Sequence, residues 1–311
     1  MIIIYPFKLI PIYQDRIWGG DNLGEMYDRK VPISKIGESW ELCSHKKGMS
    51  VVANGNLSGK TLQELVEEHK IALLGSKYDE NRNAIFPLMI KIIDANDNLS
   101  IQVHPEDKYA YRVEGESGKT EAWYVIAAKE NAQIVYGLKD SITKEEFRQA
   151  ILNNSICDTL RFVPVTTGDM IFIPAGTVHA LLDGIMVYEV QQNSDITYRV
   201  YDFDRFDSNG KGRELHIDKA MDVIKYDKQE NIDFKRTVVE CEYFSMKKMK
   251  INEEKRENSE GQFIIYCVTK GNGQIVYSNG LESIVAGDTV LIPACIGSFS
   301  IKGNMELLKI K

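Results

Sequence analysis

With 311 residues, 43% of them hydrophobic, the chain is long enough to bury a sizeable core, and no stretch approaches the roughly 20 apolar residues of a membrane span. A net charge of −7 speaks against a nucleic-acid partner, although local basic residues could still meet a small anion. Five cysteines, at 43, 157, 241, 267 and 295, have neither paired metal spacing nor a small-scaffold disulfide pattern, and Met1-Ile-Ile-Ile-Tyr5 lacks the basic flank of a signal peptide. A reducing cytoplasm is the expected compartment.

Up to about residue 55 the chain reads as short strand-like runs. Thr61, followed three residues later by Glu64, then opens an amphipathic helix with a capping signature. Ile85-Phe-Pro-Leu-Met-Ile-Lys91-Ile-Ile-Asp94 has the continuous apolar character of a buried strand. Lys91 stands inside that run, where burial is costly unless an anion meets it.

Two pairs of matching segments organise the rest. Lys129-Glu-Asn-Ala-Gln-Ile-Val-Tyr136 returns as Lys270-Gly-Asn-Gly-Gln-Ile-Val-Tyr277. Gly168-Asp-Met-Ile-Phe-Ile-Pro174-Ala-Gly176-Thr-Val-His179 returns as Gly287-Asp-Thr-Val-Leu-Ile-Pro293-Ala-Cys295-Ile-Gly-Ser298. The first pair is 141 residues apart and the second 119, so the first copy carries 22 extra residues. Ser141-Ile-Thr143-Lys-Glu-Glu146-Phe-Arg-Gln-Ala-Ile-Leu152 accounts for them as an inserted, capped helix. One β unit used twice predicts a mainly β protein of two β-barrels with a few added helices, since a solenoid needs at least about three repeats. A short helix-like stretch, His216-Ile-Asp-Lys-Ala-Met-Asp-Val-Ile224, lies in the link between the copies. The expected division is a catalytic domain over residues 1–235 and a second barrel over 236–311.

The copies differ in chemistry. Glu121 of the first falls opposite Gln262 of the second, and His179 opposite Ser298. In Ser100-Ile-Gln102-Val-His104-Pro105, strand alternation puts Gln102 and His104 on one face. Gln102, His104, Glu121 and His179 thus form one candidate site, whose two imidazoles, carboxylate and amide oxygen suit a divalent transition ion, zinc first, with a position left for water or substrate. The second copy, lacking the equivalents, is expected to bind none, giving one ion per chain. His45, His69 and His216 have no such neighbours and read as structural.

The spacing of Gly168, Pro174, Gly176 and His179 resembles the second motif of the cupin superfamily, whose barrels are jelly rolls. Leu99-Ser100-Ile-Gln102-Val-His104-Pro105 with Lys119-Thr-Glu121-Ala-Trp123, followed by Asn193-Ser-Asp-Ile-Thr-Tyr-Arg199, resembles type I mannose-6-phosphate isomerase. The likeness runs from Arg16-Ile-Trp18-Gly-Gly20 to the degenerate second cupin. The large helical insertion of the longer members is absent, which fits the compact bacterial branch. Leu181 stands where those members carry an aromatic residue.

The resemblance implies interconversion of mannose 6-phosphate and fructose 6-phosphate. Such a reaction moves a proton between C1 and C2 and needs stabilisation of the charge that develops on the enediolate oxygens. Arg199, on the alternating segment Ile196-Thr-Tyr-Arg-Val-Tyr201, stays charged at any working pH and matches a catalytic arginine of the family. Glu189 is a candidate base, in competition with Asp195 and metal-bound water. Lys119, Ser100 and Lys91 are candidates for holding the phosphosugar. An iron oxygenase and a sugar-binding module without turnover are the competing classes. The neutral fourth ligand speaks mildly against the first and Arg199 against the second. A monomer or weak homodimer is expected, with neither nucleic acid nor membrane as partner.

Overall fold

The computed structural model describes residues 4–32, 35–76, 85–206, 210–229 and 233–311. Strand dominates, with 21 strands and six α-helices among these residues. No helix among them is long and apolar enough to cross a membrane.

Contacts divide the chain into two units. One gathers Met1–Ile12, Trp40–Lys91 and Thr237–Lys311, and the other Tyr13–Ser39 and Ile92–Arg236. The first contains an eight-stranded sheet whose order is Val238–Glu240, Ser245–Asn258, Ser298–Ile310, Ile264–Tyr277, Thr289–Ile292, Phe7–Ile10 and Val51–Val52, with Gly280–Val285 paired to Ile264–Tyr277. This is the C-terminal repeat copy, and its sheet does not stop at residue 236. Phe7 stands opposite Leu291 and Lys8 opposite Val290, so the N-terminal strand covers the edge of a strand that is buried at all four positions. An uncovered apolar edge would invite pairing with another chain. The core of this sheet is aliphatic, with Ile251, Ile264, Val268, Ile275, Ile292 and Leu307 clustered.

In the second unit, a five-stranded sheet runs Leu160–Pro164, Gln133–Leu138, His179–Leu181, Ile101–Val103, Tyr198–Tyr201. A further sheet contains Met170–Ile173, Glu121–Ala128 and Ile185–Gln192 in that order. Trp123, Val125, Ile134, Tyr136, Ile171 and Val187 make a buried cluster between elements of these sheets. All the sheets are open paths, so strand pairing closes no barrel. The predicted mainly β composition is present, and strand pairing among the described residues does not by itself establish the predicted pair of β-barrels.

The inserted helix spans Lys144–Leu152. Thr143 caps it, its side chain accepting from the Glu146 backbone N–H while Glu146 reaches back to the Thr143 N–H. Thr61 and Glu64 do the same for Leu62–Leu74. The buried run anticipated before Asp94 is the strand Leu88–Ala95, and the link helix is Ile217–Val223.

Phe147 fixes which face of the inserted helix is buried, packing among Leu138, Ile156, Leu160 and Met221, whereas Leu152 is 70% exposed. Phe147→Ala should cost on the order of 3–5 kcal/mol in urea unfolding, while Leu152→Ala should stay within about 0.5 kcal/mol. Equal losses would mean that the helix buries another face.

Candidate metal centre

Three sequence-distant segments deliver the site. Glu121 begins a strand and lies opposite Ile173 on one neighbour and Gln191 on the other. His179 begins another and lies directly opposite Gln102. The turn before it needs Gly176: φ is 89° there, and a side chain would lie 2.9 Å from the Val223 carbonyl oxygen. The Gly176 N–H donates to the carbonyl of His104 at 2.9 Å, tying the turn to the other histidine.

The ligand-type atoms of His104, Glu121 and His179 all lie within 4.8 Å of one another, and the three residues are buried. His179 Nε2 is 3.3 Å from Glu121 Oε1, and His104 Nε2 is 3.4 Å from Glu121 Oε2. Gln102 reaches the same point, its Nε2 lying 3.3 Å from His179 Nε2. Turning the Gln102 amide over puts Oε1 among the other ligand atoms and offers Nε2 to Ser100 Oγ, now 3.4 Å from Oε1.

Proton positions follow from the neighbours. His179 Nδ1 sits 2.9 Å from the Thr177 carbonyl oxygen, an acceptor only, so Nδ1 carries a hydrogen and Nε2 is the nitrogen directed at Glu121. Burial first, and the Lys119 charge second, pull the His104 pKa down to about 3, so that imidazole is neutral. Burial alone would raise the Glu121 pKa, but Lys119 and the imidazoles outweigh it and hold the carboxyl well below its usual range. An ionised carboxylate and the Nε2 atoms of both imidazoles therefore meet at one buried point. Neither Glu121 oxygen receives a well-formed hydrogen bond, although the Lys119 ammonium lies 3.1 Å from Oε2 as an ion pair. The donor set of two imidazole nitrogens, a carboxylate and an amide oxygen fits zinc or a similar ion. Among the described residues no second group of this kind is found, and Ser298, opposite His179 in the repeat, instead accepts from Asn258 Nδ2 at 2.9 Å.

Family models match at residues 6–150, for the catalytic domain of phosphomannose isomerase type I, and at residues 235–311, for the cupin domain of mannose-6-phosphate isomerase. Mannose-6-phosphate isomerase ManA of Bacillus subtilis is 38% identical over 97% of this chain and 98% of its own length. The mannose-6-phosphate isomerase of Streptococcus mutans is 38% identical over 94% of each. The chain belongs to the type I mannose-6-phosphate isomerases. It is an isomerase by that membership. The crystal structure of the Bacillus subtilis mannose 6-phosphate isomerase superposes with a TM-score of 0.90 at 38% identity, covering 98% of this chain and 99% of that one. An Archaeoglobus fulgidus structure at 24% identity, with a TM-score of 0.81, shares the fold.

Around the centre of this isomerase, the other residues named from sequence fall into place unequally. Arg199 stands opposite Gln102 in the sheet, donating from Nε to Ser100 Oγ at 3.3 Å and from Nη1 to the Glu214 carbonyl at 2.7 Å. Burial, and then the nearby Arg213 charge, lower its pKa. Glu189 lies opposite Trp123, whose indole N–H donates to its Oε2 at 2.9 Å. Lys119 is drawn inward, 3.2 Å from His104 Nε2 and 4.0 Å from Glu189 Oε1, besides its pairing with Glu121. Lys91 belongs to the other unit, with its ammonium 5.2 Å from the centroid of the Trp40 ring. Sequence reasoning passed over Trp123, Thr177 and the arginines that flank Arg199. The Thr177 contribution is a backbone carbonyl, which no side-chain pattern marks.

A folded-state metal site should report itself without turnover. Zinc added to chelator-treated chain should bind at one equivalent and raise the unfolding free energy, by about 2.7 kcal/mol at 100 times its dissociation constant. Glu121→Ala should abolish the shift in thermal melts. Two tight equivalents, or a shift that survives in Glu121→Ala, would contradict the assignment.

Proposed function

We propose that the chain interconverts mannose 6-phosphate and fructose 6-phosphate through an enediol, with one divalent ion, zinc first, held by Gln102, His104, Glu121 and His179. The observation that carries this reading is the buried Glu121 carboxylate with the Nε2 atoms of two imidazoles at its oxygens, while Arg199 stands opposite Gln102 on the neighbouring strand. When bound, the ion supplies positive charge to the sugar oxygens without giving or taking a proton.

The chain's own residues do the rest. His179 is oriented by the Thr177 carbonyl, and His104 is kept neutral by burial. Arg199, whose charge is permanent, stabilises the enediolate oxygens as they become negative. Glu189 moves the proton between C2 and C1. Trp123 holds its Oε2, which leaves Oε1 directed to the side on which Lys119 lies. Asp195 remains the competing base. Lys119 and Ser100 line the same region and are proposed to hold the phosphosugar, with Lys91 assigned to that role from sequence. The C-terminal module, residues 236–311, is proposed as a second cupin that binds no metal. A cytoplasmic monomer or weak homodimer completes the reading.

Replacing Arg199 by Ala should leave metal content and folding near normal and lower kcat by on the order of 100- to 1000-fold, the effect of removing one oxyanion-type donor. A change confined to KM would make Arg199 a substrate anchor instead. For Lys119→Met, the quantity to measure is the ratio of kcat/KM between mannose 6-phosphate and mannose. Should Lys119 hold the dianion, that ratio shrinks, because only one substrate carries the phosphate. An unchanged ratio would confine Lys119 to Glu121 and His104, its neighbours at the centre.

A further inference from the structure

We propose that Asp202, clamped by Arg205 and Arg213, is a positioning centre for Arg199: one buried carboxylate fixes both acceptors that hold the Arg199 guanidinium. This rests on the reading of Arg199 as the group that meets the developing charge.

The geometry runs outward from Asp202, which is 6% exposed. Arg213 meets it with a two-pronged contact, Nε to Oδ2 at 2.7 Å and Nη2 to Oδ1. Arg205 adds Nη2 to Oδ1 at 2.6 Å and Nε to the Asp202 carbonyl at 3.2 Å. Burial would raise the Asp202 pKa, but the two guanidinium groups more than reverse it, so the carboxylate stays ionised.

Each arm of the clamp ends beside an acceptor of Arg199. Arg213 directly precedes Glu214, whose carbonyl takes the Arg199 Nη1 hydrogen at 2.7 Å. Arg205 Nη1 donates to the carbonyl of Asn98, two residues before Ser100, whose hydroxyl takes the Nε hydrogen. Two residues beyond Glu214, His216 closes the frame: its backbone N–H donates to the Arg199 carbonyl at 2.8 Å, and its Nδ1 accepts from the Arg199 N–H at 3.3 Å.

Two further observations separate this from an ordinary surface ion pair, which contributes little. Phe203 and Asp204 follow Asp202 with left-handed backbone, φ 55° and 52°, a strained pairing for residues with side chains. Strain of that kind persists only where surrounding contacts over-determine it, and it lets the chain turn back at once so that Arg205 can reach the same carboxylate. The second observation is charge. Arg199 lies among like charges, Arg213 and Arg205 both pushing its pKa down. Without Asp202 between them, the guanidinium groups would repel one another out of the arrangement.

The decisive experiment uses the full metal-loaded chain and two readouts. Arg213→Ala should keep one equivalent of metal and a native near-ultraviolet spectrum, while kcat falls by on the order of 10- to 100-fold with KM little changed, as expected for a misplaced group. In an Arg199→Ala background the same substitution should cost nothing further, because the two act as one unit. Arg213→Lys, which keeps the charge but not the fork, should recover part of the loss. The second readout is the nitrogen-15 spectrum of arginine Nε–H groups, with the Arg199 signal identified by its absence in Arg199→Ala. That signal should exchange faster in Arg213→Ala. Unchanged exchange, or an equal loss of kcat in both backgrounds, would overturn the proposal, the latter making Arg213 a substrate contact in its own right. Should Arg199→Ala keep its turnover, the catalytic reading of Arg199 fails, and the exchange result still decides whether Asp202 positions the guanidinium. If Arg213→Ala does not fold, Arg213→Lys and Arg205→Lys carry the same comparisons.

Discussion

A buried carboxylate surrounded by groups that cannot satisfy it by themselves is the constraint on which the second unit depends. Glu121 is fully buried, and an isolated ionised carboxylate there would be far too costly to fold around. Lys119 returns part of that cost by standing 3.1 Å away, and the Nε2 atoms of the two imidazoles complete a donor set that suits a divalent ion. The sheet registers serve this arrangement: Gln102 opposite His179 on one side and opposite Arg199 on the other put three side chains with different tasks on neighbouring strands. Shifting any of these strands by one residue would turn its functional side chain to the other face.

Much of this was legible in the sequence because strand periodicity is short and strict. Gln102 and His104 were assigned to one face by alternation alone, and the structure brings both to Glu121. The capping pairs Thr61 with Glu64 and Thr143 with Glu146 are local signals, and both form reciprocally. What stayed hidden was of three physical kinds. Backbone groups such as the Thr177 carbonyl leave no mark in residue identity. Pairings across long stretches of sequence, such as Phe7 with Leu291, follow from edge coverage, which single-strand patterns do not encode. A charge also attracts whichever partner folding brings near: Lys91, read as a seeker of anions, lies over the Trp40 ring, and Lys119, read as a phosphate hold, lies first against a carboxylate and an imidazole.

The repeat explains why one copy could lose its chemistry and remain. In the first unit the C-terminal sheet is held by aliphatic packing around Ile251, Ile264, Ile275 and Leu307, none of which depends on a ligand atom. The position equivalent to His179 is Ser298, satisfied by Asn258. That sheet carries no buried charge at this place, because the register puts Ile264 opposite Ile292 where Glu121 stands opposite Ile173, an apolar residue and not the Gln262 expected from sequence. The first copy has no such freedom. Its Glu121 is a buried carboxylate whose charge Lys119 answers at 3.1 Å, so the residues around it are tied to that charge.

Charge at the arginines shows the same economy in a different form. The chain carries an overall charge of −7, yet Arg205 and Arg213 converge on a single buried carboxylate, and Arg199 lies close enough to feel all three charges. One aspartate cannot neutralise three guanidinium groups, and Asp97, 3.4 Å from Arg205, is more than half exposed and screened by solvent. The surplus positive charge is therefore held in place by the fold and faces the direction in which Arg199 points. Such fixed charge needs no reorganisation when negative charge arrives. The same surplus makes the arrangement fragile: it exists only while Asp202 stays ionised and buried between its partners, so the strained turn at Phe203 and Asp204 and the reach of Arg199 belong to one electrostatic unit.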